Sequence, residues 1–327
     1  MNRAAGLGNR FGQSWGSRGI LHWLAAMPHP RWVCEIAPQR IAAARSARGR
    51  VGLEQFAIEP LPEGAIVPSL LEQNLAQAEA VRAVARMVLG RLGARGDSVA
   101  LLVPDQALRV FVVHFDRFPA NPEEALPLLR WRLKKSLPFD IEDTVLSYSV
   151  QAARAEGVDV VTALARRRVI RQYEEVAEAV GLQPGVVLGS TLATLPLVQD
   201  DRPRLVARLS GTTLTAVVLR EGTICIYRCT EVSTDGREAT AQSVLDELYP
   251  AVAYFQDTWE ETLHSVCVAG LGERFEEFRQ VLQSELGCPV QPVLSSEGIA
   301  AGMGSEAYGL AEQQLEPLVG WMANRGA

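Results

Sequence analysis

The chain has 327 residues, of which 48% are hydrophobic, and it carries a net charge of −6 with a pI near 5.4. A chain of this length exceeds what one hydrophobic core usually supports, so we expect about two lobes. The acidic balance argues against general nucleic-acid binding, because that affinity comes mainly from basic side chains that neutralise phosphates. The only lysines are Lys134 and Lys135, so the chain contains no Gly-Lys-Ser/Thr loop and the P-loop class of ATPases is excluded.

The cysteines and histidines do not predict a metal site or a hydrolase triad. The five cysteines form no Cys-x-x-Cys pair and lie mostly in apolar, strand-like runs, which is typical of buried thiols in a reducing compartment. The four histidines are scattered, and none has a histidine partner four residues away. We therefore expect neither a bound metal nor a catalytic residue of these types.

The N-terminal segment is basic and leads into a short apolar run. Arg3, Arg10 and Arg18 precede residues 20–27, and no acidic residue occurs before Glu35. The favoured interpretation is a flexible basic leader over residues 1–30, because glycines and polar residues break any helical period there. An anchor lying on an anionic membrane surface and a signal peptide are the alternatives. No apolar stretch approaches the roughly 20 residues needed to span a bilayer.

The first half of the chain alternates strand and helix patterns. A hairpin with a third strand is followed by an amphipathic helix, a strand, an inserted αβ unit, a further helix and a returning strand. The helix of the inserted unit has Asn121 as its N-cap and Pro122 at its first position. The predicted segments are strands at 32–36, 41–44, 51–58, 98–103, 108–115, 144–151, 158–165 and 185–188, with helices at 75–92, 121–135 and 166–180.

The second half repeats the hairpin, third strand, helix, strand and helix order of the first. Its strands are predicted at 205–209, 214–219, 223–227 and 265–268, and its helices at about 238–258 and 273–286. A repeat of this size indicates a duplicated architecture. We therefore divide the chain into a first lobe at 31–200 with an insertion at about 105–165, a second lobe at 201–312, and a short, amphipathic C-terminal tail at 313–327.

Several sequence blocks carry a resemblance to a known family. The clearest is 121–151, which contains Glu-Glu, Arg-Trp and Leu-Pro-Phe-Asp-Ile-Glu motifs and Tyr148, and the blocks 181–184, 268–274 and 286–290 add to it. Over residues 31–312 the chain resembles the type IV pilus assembly protein PilM, which is related to the cell-division protein FtsA and the cytoplasmic domain of the secretion protein GspL. The resemblance implies an α/β fold: a duplicated, actin-like (RNase H-like) ATPase fold with a small inserted αβ subdomain.

The chain departs from this family at the nucleotide site. In the family an Asp-Ile-Gly triplet forms the first phosphate loop, whereas here the triplet is Glu35-Ile36-Ala37, followed by Pro38. The longer acid misplaces the carboxylate, alanine adds a Cβ where phosphate approaches, and proline removes an amide donor. In the second loop the family aspartate aligns with Ala207 or Arg208, so no carboxylate remains there.

We therefore expect a degenerate nucleotide site without catalytic residues. The span between the second hairpin and the glycine turn is also much shorter than in the family, which removes one wall of the cleft. ATP with magnesium is disfavoured as a cofactor, and we expect negligible ATP hydrolysis. The residues of the degenerate site are Glu35, Ala37, Ser210, Gly211, Thr212, Gly270 and Gly272.

The resemblance also implies a partner. In the family, the cytoplasmic tail of the membrane protein PilN binds in a groove beside the inserted subdomain. The corresponding residues here are Val110, Phe111, Val113, Trp131, Leu137, Pro138 and Phe139. The same residues alternate as ordinary core positions do, so packing within the chain is an equally good interpretation of the pattern.

The function implied is a cytoplasmic scaffold, a pseudo-ATPase, at the inner-membrane platform of a type IV pilus or of a related type II secretion machine. Other platform and motor components, self-association and peripheral membrane contact are further expected partners. An active actin-like ATPase or small-molecule kinase, with Glu35 in place of the aspartate, is one alternative. A GspL-like platform component is another, although the chain ends in the segment 315–321 rather than in the membrane span that GspL has.

Overall fold

The computed structural model describes residues 24, 27–46, 53–154, 157–198, 200–234, 236–294, 309–310 and 312–324. The predicted basic leader therefore lies almost wholly outside the described residues, as does the start of the third predicted strand. In chain order the elements are β1 (Trp32–Ala37), β2 (Arg40–Ser46), β3 (Leu53–Pro60), α1 (Ala78–Arg91), β4 (Ser98–Val103), β5 (Arg109–Phe115), α2 (Pro122–Leu133), β6 (Thr144–Arg154), β7 (Gly157–Arg166), α3 (Arg167–Glu178), β8 (Gln183–Gly189), α4 (Ser190–Thr194), β9 (Arg204–Ser210), β10 (Thr213–Arg220), β11 (Thr223–Glu231), α5 (Ala241–Trp259), β12 (Ser265–Ala269), α6 (Phe275–Leu286), β13 (Val290–Pro292) and α7 (Glu316–Ala323).

Two five-stranded sheets with the same topology form the two lobes. The first has the order β3-β2-β1-β4-β8 and the second the order β11-β10-β9-β12-β13. In each, the leading strand pairs antiparallel with its hairpin partner and parallel with the strand that returns after a helix. Parallel neighbours need such a helical crossover, which is why each half alternates hairpins with helices. The duplicated α/β fold predicted from the sequence is confirmed.

The inserted subdomain is a three-stranded antiparallel sheet covered by one helix. Its order is β5-β7-β6. Helix α2 begins as predicted, because the side chain of Asn121 accepts a hydrogen bond from the amide of Glu123 and Pro122 occupies the first turn. The helix buries Ala125, Leu129 and Leu133 against the sheet, a spacing of four residues that places them on one face.

The C-terminal segment differs from the short amphipathic tail that the sequence suggested. Helix α7 is buried from Glu316 through Met322 and packs against α4, a helix that the sequence analysis did not identify. Its approach is so close that a Cβ on Gly320 would lie 2.2 Å from the carbonyl oxygen of Ala193. Apolar residues lie on every side of this helix, and a helix of this kind is stable only when other parts of the protein enclose it.

One apolar core extends from the first lobe into the second. It includes the sheet residues of the first lobe, the buried indole of Trp321, and Val206, Val217 and Leu219 from the second lobe. A separate core lies between the second sheet and helices α5 and α6. Among the described residues, no helix is long and apolar enough to cross a membrane. The shared core holds the two hairpins that carry the candidate site against each other.

Candidate functional site

The hairpin turns of the two lobes meet at the cleft between them. The turn after β1 carries Gln39 and the turn after β9 carries Gly211. The two are so close that a Cβ on Gly211 would lie 2.5 Å from Nε2 of Gln39. Gly211 also has a φ of +62°, a conformation that glycine adopts without strain. The structure therefore brings together the two loops that the sequence identified as counterparts.

Glu35 is the centre of a buried charge cluster in this cleft. Its side chain is inaccessible to solvent, although it lies on a strand between apolar neighbours. Nη2 of Arg208, on β9 of the second lobe, donates to Oε1 of Glu35 at 2.7 Å. Nη2 of Arg40 donates to Oε2 at 3.2 Å. Both oxygens of the carboxylate are thus engaged by guanidinium groups, one of them from the opposite lobe.

Asp105 forms the second carboxylate of the cluster. It begins the short 3-10 turn after β4, and its Oδ2 lies 3.7 Å from Nη1 of Arg208. The amide and hydroxyl of Thr191 donate to it at 3.1 and 2.5 Å. The hydroxyls of Thr215 and Tyr227, both from the second lobe, donate at 3.1 and 3.2 Å. Asp105 therefore accepts hydrogen bonds from both lobes.

One phenol and two thiols beside the cluster remain neutral at physiological pH. Burial, reinforced by the charge of Asp105, raises the pKa of Tyr227 well above its ordinary value, so its phenol stays a hydrogen-bond donor. Burial and the adjacent carboxylate of Glu35 raise the pKa of Cys34 to about 12. The same two causes, with Asp105 as the carboxylate, raise the pKa of Cys229 to about 12. These thiols are therefore unreactive, as expected for core cysteines.

The glycine turn after β12 is covered by the C-terminal part of the chain. The amide of Gly270 donates to Oε1 of Glu316 at 2.9 Å, and a Cβ on Gly272 would lie 3.2 Å from the carbonyl oxygen of Glu312. Arg40 donates at 2.5 Å to the carbonyl oxygen of Gln313 and also contacts that of the next residue. Burial raises the pKa of Glu316, and its Oε2 has no hydrogen-bond partner among the described residues.

The remaining residues of the predicted nucleotide site are distributed around this cluster. Ala37 is buried at the end of β1, and Ser210 is half-buried at the end of β9. The hydroxyl of Thr212 donates at 3.4 Å to Glu231, at the end of the neighbouring strand β11. Of the predicted set, only Glu35 belongs to the charge cluster.

A magnesium nucleotide does not fit these residues as they are arranged. Magnesium would need a free carboxylate oxygen, and both oxygens of Glu35 accept hydrogen bonds from arginines. The Gly270 amide and the approach to Gly272 are already used by the segment 312–316. In the part of the chain that the structure describes, no group of three or more acidic, cysteine or histidine side chains could hold a metal ion.

The residues predicted to bind a partner lie in the inserted subdomain with different degrees of exposure. Val110 is buried in the core shared with the first lobe, and Val113 is buried in the small core beneath α2. Three residues at the margin of that small core are half-buried, and two further residues are exposed, one of them 74% exposed. The half-buried residues are Phe111, Leu137 and Phe139. The exposed ones are Pro138 and Trp131, and Trp131 is the residue that is 74% exposed.

Sequence reasoning missed three members of the cleft. Arg208 was one of two positions, with Ala207, that were aligned with the family aspartate, but it was not identified as the partner of Glu35, which is 173 residues away. Asp105 follows a strand end and a proline, the position where a parallel sheet presents polar side chains, and this signal could have identified it. Glu316 gave no local signal, because its role depends on the return of α7 to the glycine turn.

The duplicated sheets, the facing hairpins and the cleft between them define the class of actin-like proteins. A protein of Bacteroides thetaiotaomicron with an actin-like ATPase fold and unknown function superposes with a TM-score of 0.52 at 9% identity, covering 88% of this chain and 95% of that one. A PilM–PilN type IV pilus biogenesis complex superposes with a TM-score of 0.74 at 19% identity, covering 92% of this chain and 100% of that one.

Within this class, residues 37–194 match the family model of the type IV pilus assembly protein PilM. The match spans most of the first lobe and the whole inserted subdomain. The resemblance to the PilM family inferred from the sequence is therefore confirmed over this part of the chain.

Proposed function

We propose that this protein is a scaffold at the cytoplasmic face of the inner membrane, in the assembly platform of a type IV pilus or a related type II secretion machine, and that it works without hydrolysing ATP. The proposal that the protein works without hydrolysing ATP rests on the buried pair of Glu35 and Arg208. This pair stands where the resemblance expects the carboxylates of two phosphate loops.

The charge of Arg208 opposes magnesium chemistry in two ways. A guanidinium stays protonated at any relevant pH, so it repels a divalent cation from this position. It could attract a phosphate, but Glu35 at 2.7 Å and Asp105 at 3.7 Å already balance its charge. A nucleotide would have to break a buried ion pair before it could bind, and this makes the site a poor one for ATP.

For the partner we propose the cytoplasmic tail of a PilN-like membrane protein. The family match supports it, as does the similarity in fold to a complex that contains PilN. The half-buried rim of Phe111, Leu137 and Phe139 offers apolar contacts, and β5 lies at the edge of its sheet, where an extended peptide can add as a strand. Through this tail the scaffold would contact the membrane and the other platform and motor components.

Calorimetric titration with ATP and ADP, with and without magnesium, tests the nucleotide part. We expect no binding at millimolar nucleotide and no phosphate release in a steady-state assay on the same sample. Micromolar, magnesium-dependent binding with turnover that Glu35→Ala abolishes would refute the pseudo-ATPase proposal and favour an active ATPase or kinase.

Fluorescence anisotropy with a labelled peptide, the cytoplasmic tail of the PilN-like protein of the same organism, tests the partner. Phe111→Asp should weaken binding by about tenfold or more, since it places a charge in the apolar rim. Phe56→Asp is the matched control, because Phe56 is 41% exposed on β3, away from this subdomain. Equal binding by both variants, with unchanged circular dichroism, would contradict the proposed location.

A further inference from the structure

The outer face of helix α2 carries an exposed aromatic residue between two groups of opposite charge. Trp131 is 74% exposed, the largest value among the exposed large hydrophobic residues in the described part of the chain. Glu123 and Glu124 lie exposed in the first turn, and Lys134 and Lys135 lie exposed in the 3-10 turn that follows the helix. This surface, which we name the α2 face, is therefore acidic at one end, apolar in the middle and basic at the other end.

The charged side chains of the α2 face have no polar partner in the part of the chain that the structure describes. Those of Glu123, Glu124, Lys134 and Lys135 form no ion pair or hydrogen bond with any described residue. Acids at the start and bases at the end of a helix stabilise it through its dipole, so this placement alone requires no partner. The dipole does not account for Trp131, whose indole would lose unfavourable contact with water if it were covered.

The spacing of these residues is self-complementary. Lys134 and Glu124 are each five positions from Leu129, Lys135 and Glu123 are each six positions from it, and Trp131 and Pro127 are each two positions from it. Two copies of α2 packed antiparallel about a two-fold axis near Leu129 would therefore place each acid opposite a lysine and each indole opposite a proline. At 1.5 Å per residue, the face is roughly 18 Å long.

A pocket beside Trp131 offers a place for the indole of a second copy. It has a volume of about 410 Å³, and Trp131 itself forms one of its walls. The other lining residues are the apolar Leu126, Pro127 and Ile141 and the charged Arg130, Lys134 and Glu142. In the antiparallel arrangement, Trp131 of the second copy faces Pro127 and thus reaches the mouth of this pocket. An indole that contacts the apolar part of this pocket beside the guanidinium of Arg130 gains both burial and a cation–π contact.

We propose that the α2 face binds the α2 face of a second copy of this chain, in an antiparallel and two-fold symmetric arrangement. The mixed charge favours this occupant over an anionic lipid surface, which would attract the lysine end and repel the glutamate end. A two-fold interface has the same patch on both copies, and this is what the equidistant pairs provide. A contact between two short helices is small, so the dimer is weak and its affinity falls with salt.

Sedimentation equilibrium from micromolar to millimolar protein, at low and at high salt, tests the proposal. We expect reversible dimerisation at low salt that weakens at high salt. Glu123→Lys/Glu124→Lys makes the face wholly basic, Lys134→Glu/Lys135→Glu makes it wholly acidic, and each should weaken self-association about tenfold or more through repulsion of like charges. An equimolar mixture of the two variants should regain dimers, because the faces are then complementary. Loss in both variants without recovery in the mixture would overturn the proposal.

Trp131→Ser tests the apolar centre of the face, and Tyr249→Ser, at a 50% exposed residue on α5, is its matched control. The first should weaken the dimer and the second should not, with both variants folded by circular dichroism. A native protein that stays monomeric at every concentration would overturn the proposal. So would a native protein that binds phosphatidylglycerol vesicles through the lysines while remaining monomeric, since the face would then contact lipid.

Discussion

Replacing Arg208 with methionine should destabilise the whole molecule, because it leaves the buried carboxylate of Glu35 with one guanidinium instead of two. Both residues of the pair are almost fully buried, and the contact between them is 2.7 Å. Removing one partner of a buried ion pair costs about 3–5 kcal/mol, since an uncompensated charge remains in a site of low dielectric constant. Arg40 stays 3.2 Å from the other oxygen, so we expect a loss at the lower end, about 3 kcal/mol.

Urea denaturation followed by circular dichroism measures this loss, and a thermal scan gives an independent value. With an unfolding entropy near 2.1 cal/mol/K per residue, 327 residues give about 0.7 kcal/mol/K, so the melting temperature should fall by roughly 4 °C. The double variant Glu35→Met/Arg208→Met should lose less than the sum of the two single variants by about 1–3 kcal/mol, because it removes both charges together.

The control is Arg228→Met. Arg228 contacts Glu247 at 3.1 Å, but both side chains are about a third exposed, so the expected loss is below about 1 kcal/mol. If Arg208→Met cost no more than this control, or if the effects of the two single variants at the pair were additive, the reasoning that a buried ion pair joins the lobes would be refuted.

Three further predictions concern the rest of the cleft. Burial raises the pKa of Glu316 above its ordinary 4.5, so the folded state binds this proton more tightly than the unfolded state and loses that stability as pH rises through its raised pKa. Glu316→Gln removes the titration, so its free energy of unfolding in urea titrations should rise relative to the native value as the pH increases above 4.5, the ordinary pKa of the group; a constant difference would contradict this. Gly270→Ala should cost more than about 2 kcal/mol by the same assay, because φ is +77° and the new Cβ would lie 2.0 Å from a carbonyl oxygen. Gly222→Ala, at φ +68° with open space, should cost only about 1 kcal/mol, and equal losses would exclude the clash. Asp105→Asn should cost about 1–3 kcal/mol, because the amide nitrogen that replaces one carboxylate oxygen cannot accept the hydrogen bonds that this oxygen accepts, whereas Asp159→Asn, at a half-buried side chain, should cost less; the reverse order would count against the network.

The sequence predicted the fold well wherever the local signals agreed with the tertiary packing. Strand β4 was predicted at the bounds that it has, because an apolar run of five residues, 99–103, between a glycine-rich turn and a proline is typical of a buried strand. Helix α2 began at the predicted cap for the same reason, since Asn121 and Pro122 fix its first turn. The repeat of hairpin and helix then implied two similar sheets.

The candidate site was less accessible to sequence reasoning, because its contacts join distant parts of the chain. The loss of the phosphate-loop aspartates could be read from Glu35 in the first loop and from Ala207 or Arg208 in the second. The pairing of Arg208 with Glu35, however, depends on how the lobes pack. Helix α7 was misjudged because a short apolar segment near a chain end has no period that distinguishes a tail from a buried helix. The contact of Glu316 with Gly270 follows from that helix and was equally invisible.

On the proposed function, the cleft determines how such a scaffold can be controlled. A ligand changes the relative orientation of two lobes only if it binds one orientation more tightly than the other. In this protein the chain's own side chains occupy the cleft in which such a ligand would bind. The pair of Glu35 and Arg208 holds the two lobes together at the cleft. The inserted subdomain is held against the second lobe by the side-chain amide of Gln151, which forms two hydrogen bonds, at 2.9 and 2.6 Å, with the backbone of Ile224. The surfaces left for control are those that the inserted subdomain presents outward, the apolar rim and the α2 face. Partner binding and self-association would then act on one small subdomain, and occupation of one surface could change the other without any nucleotide.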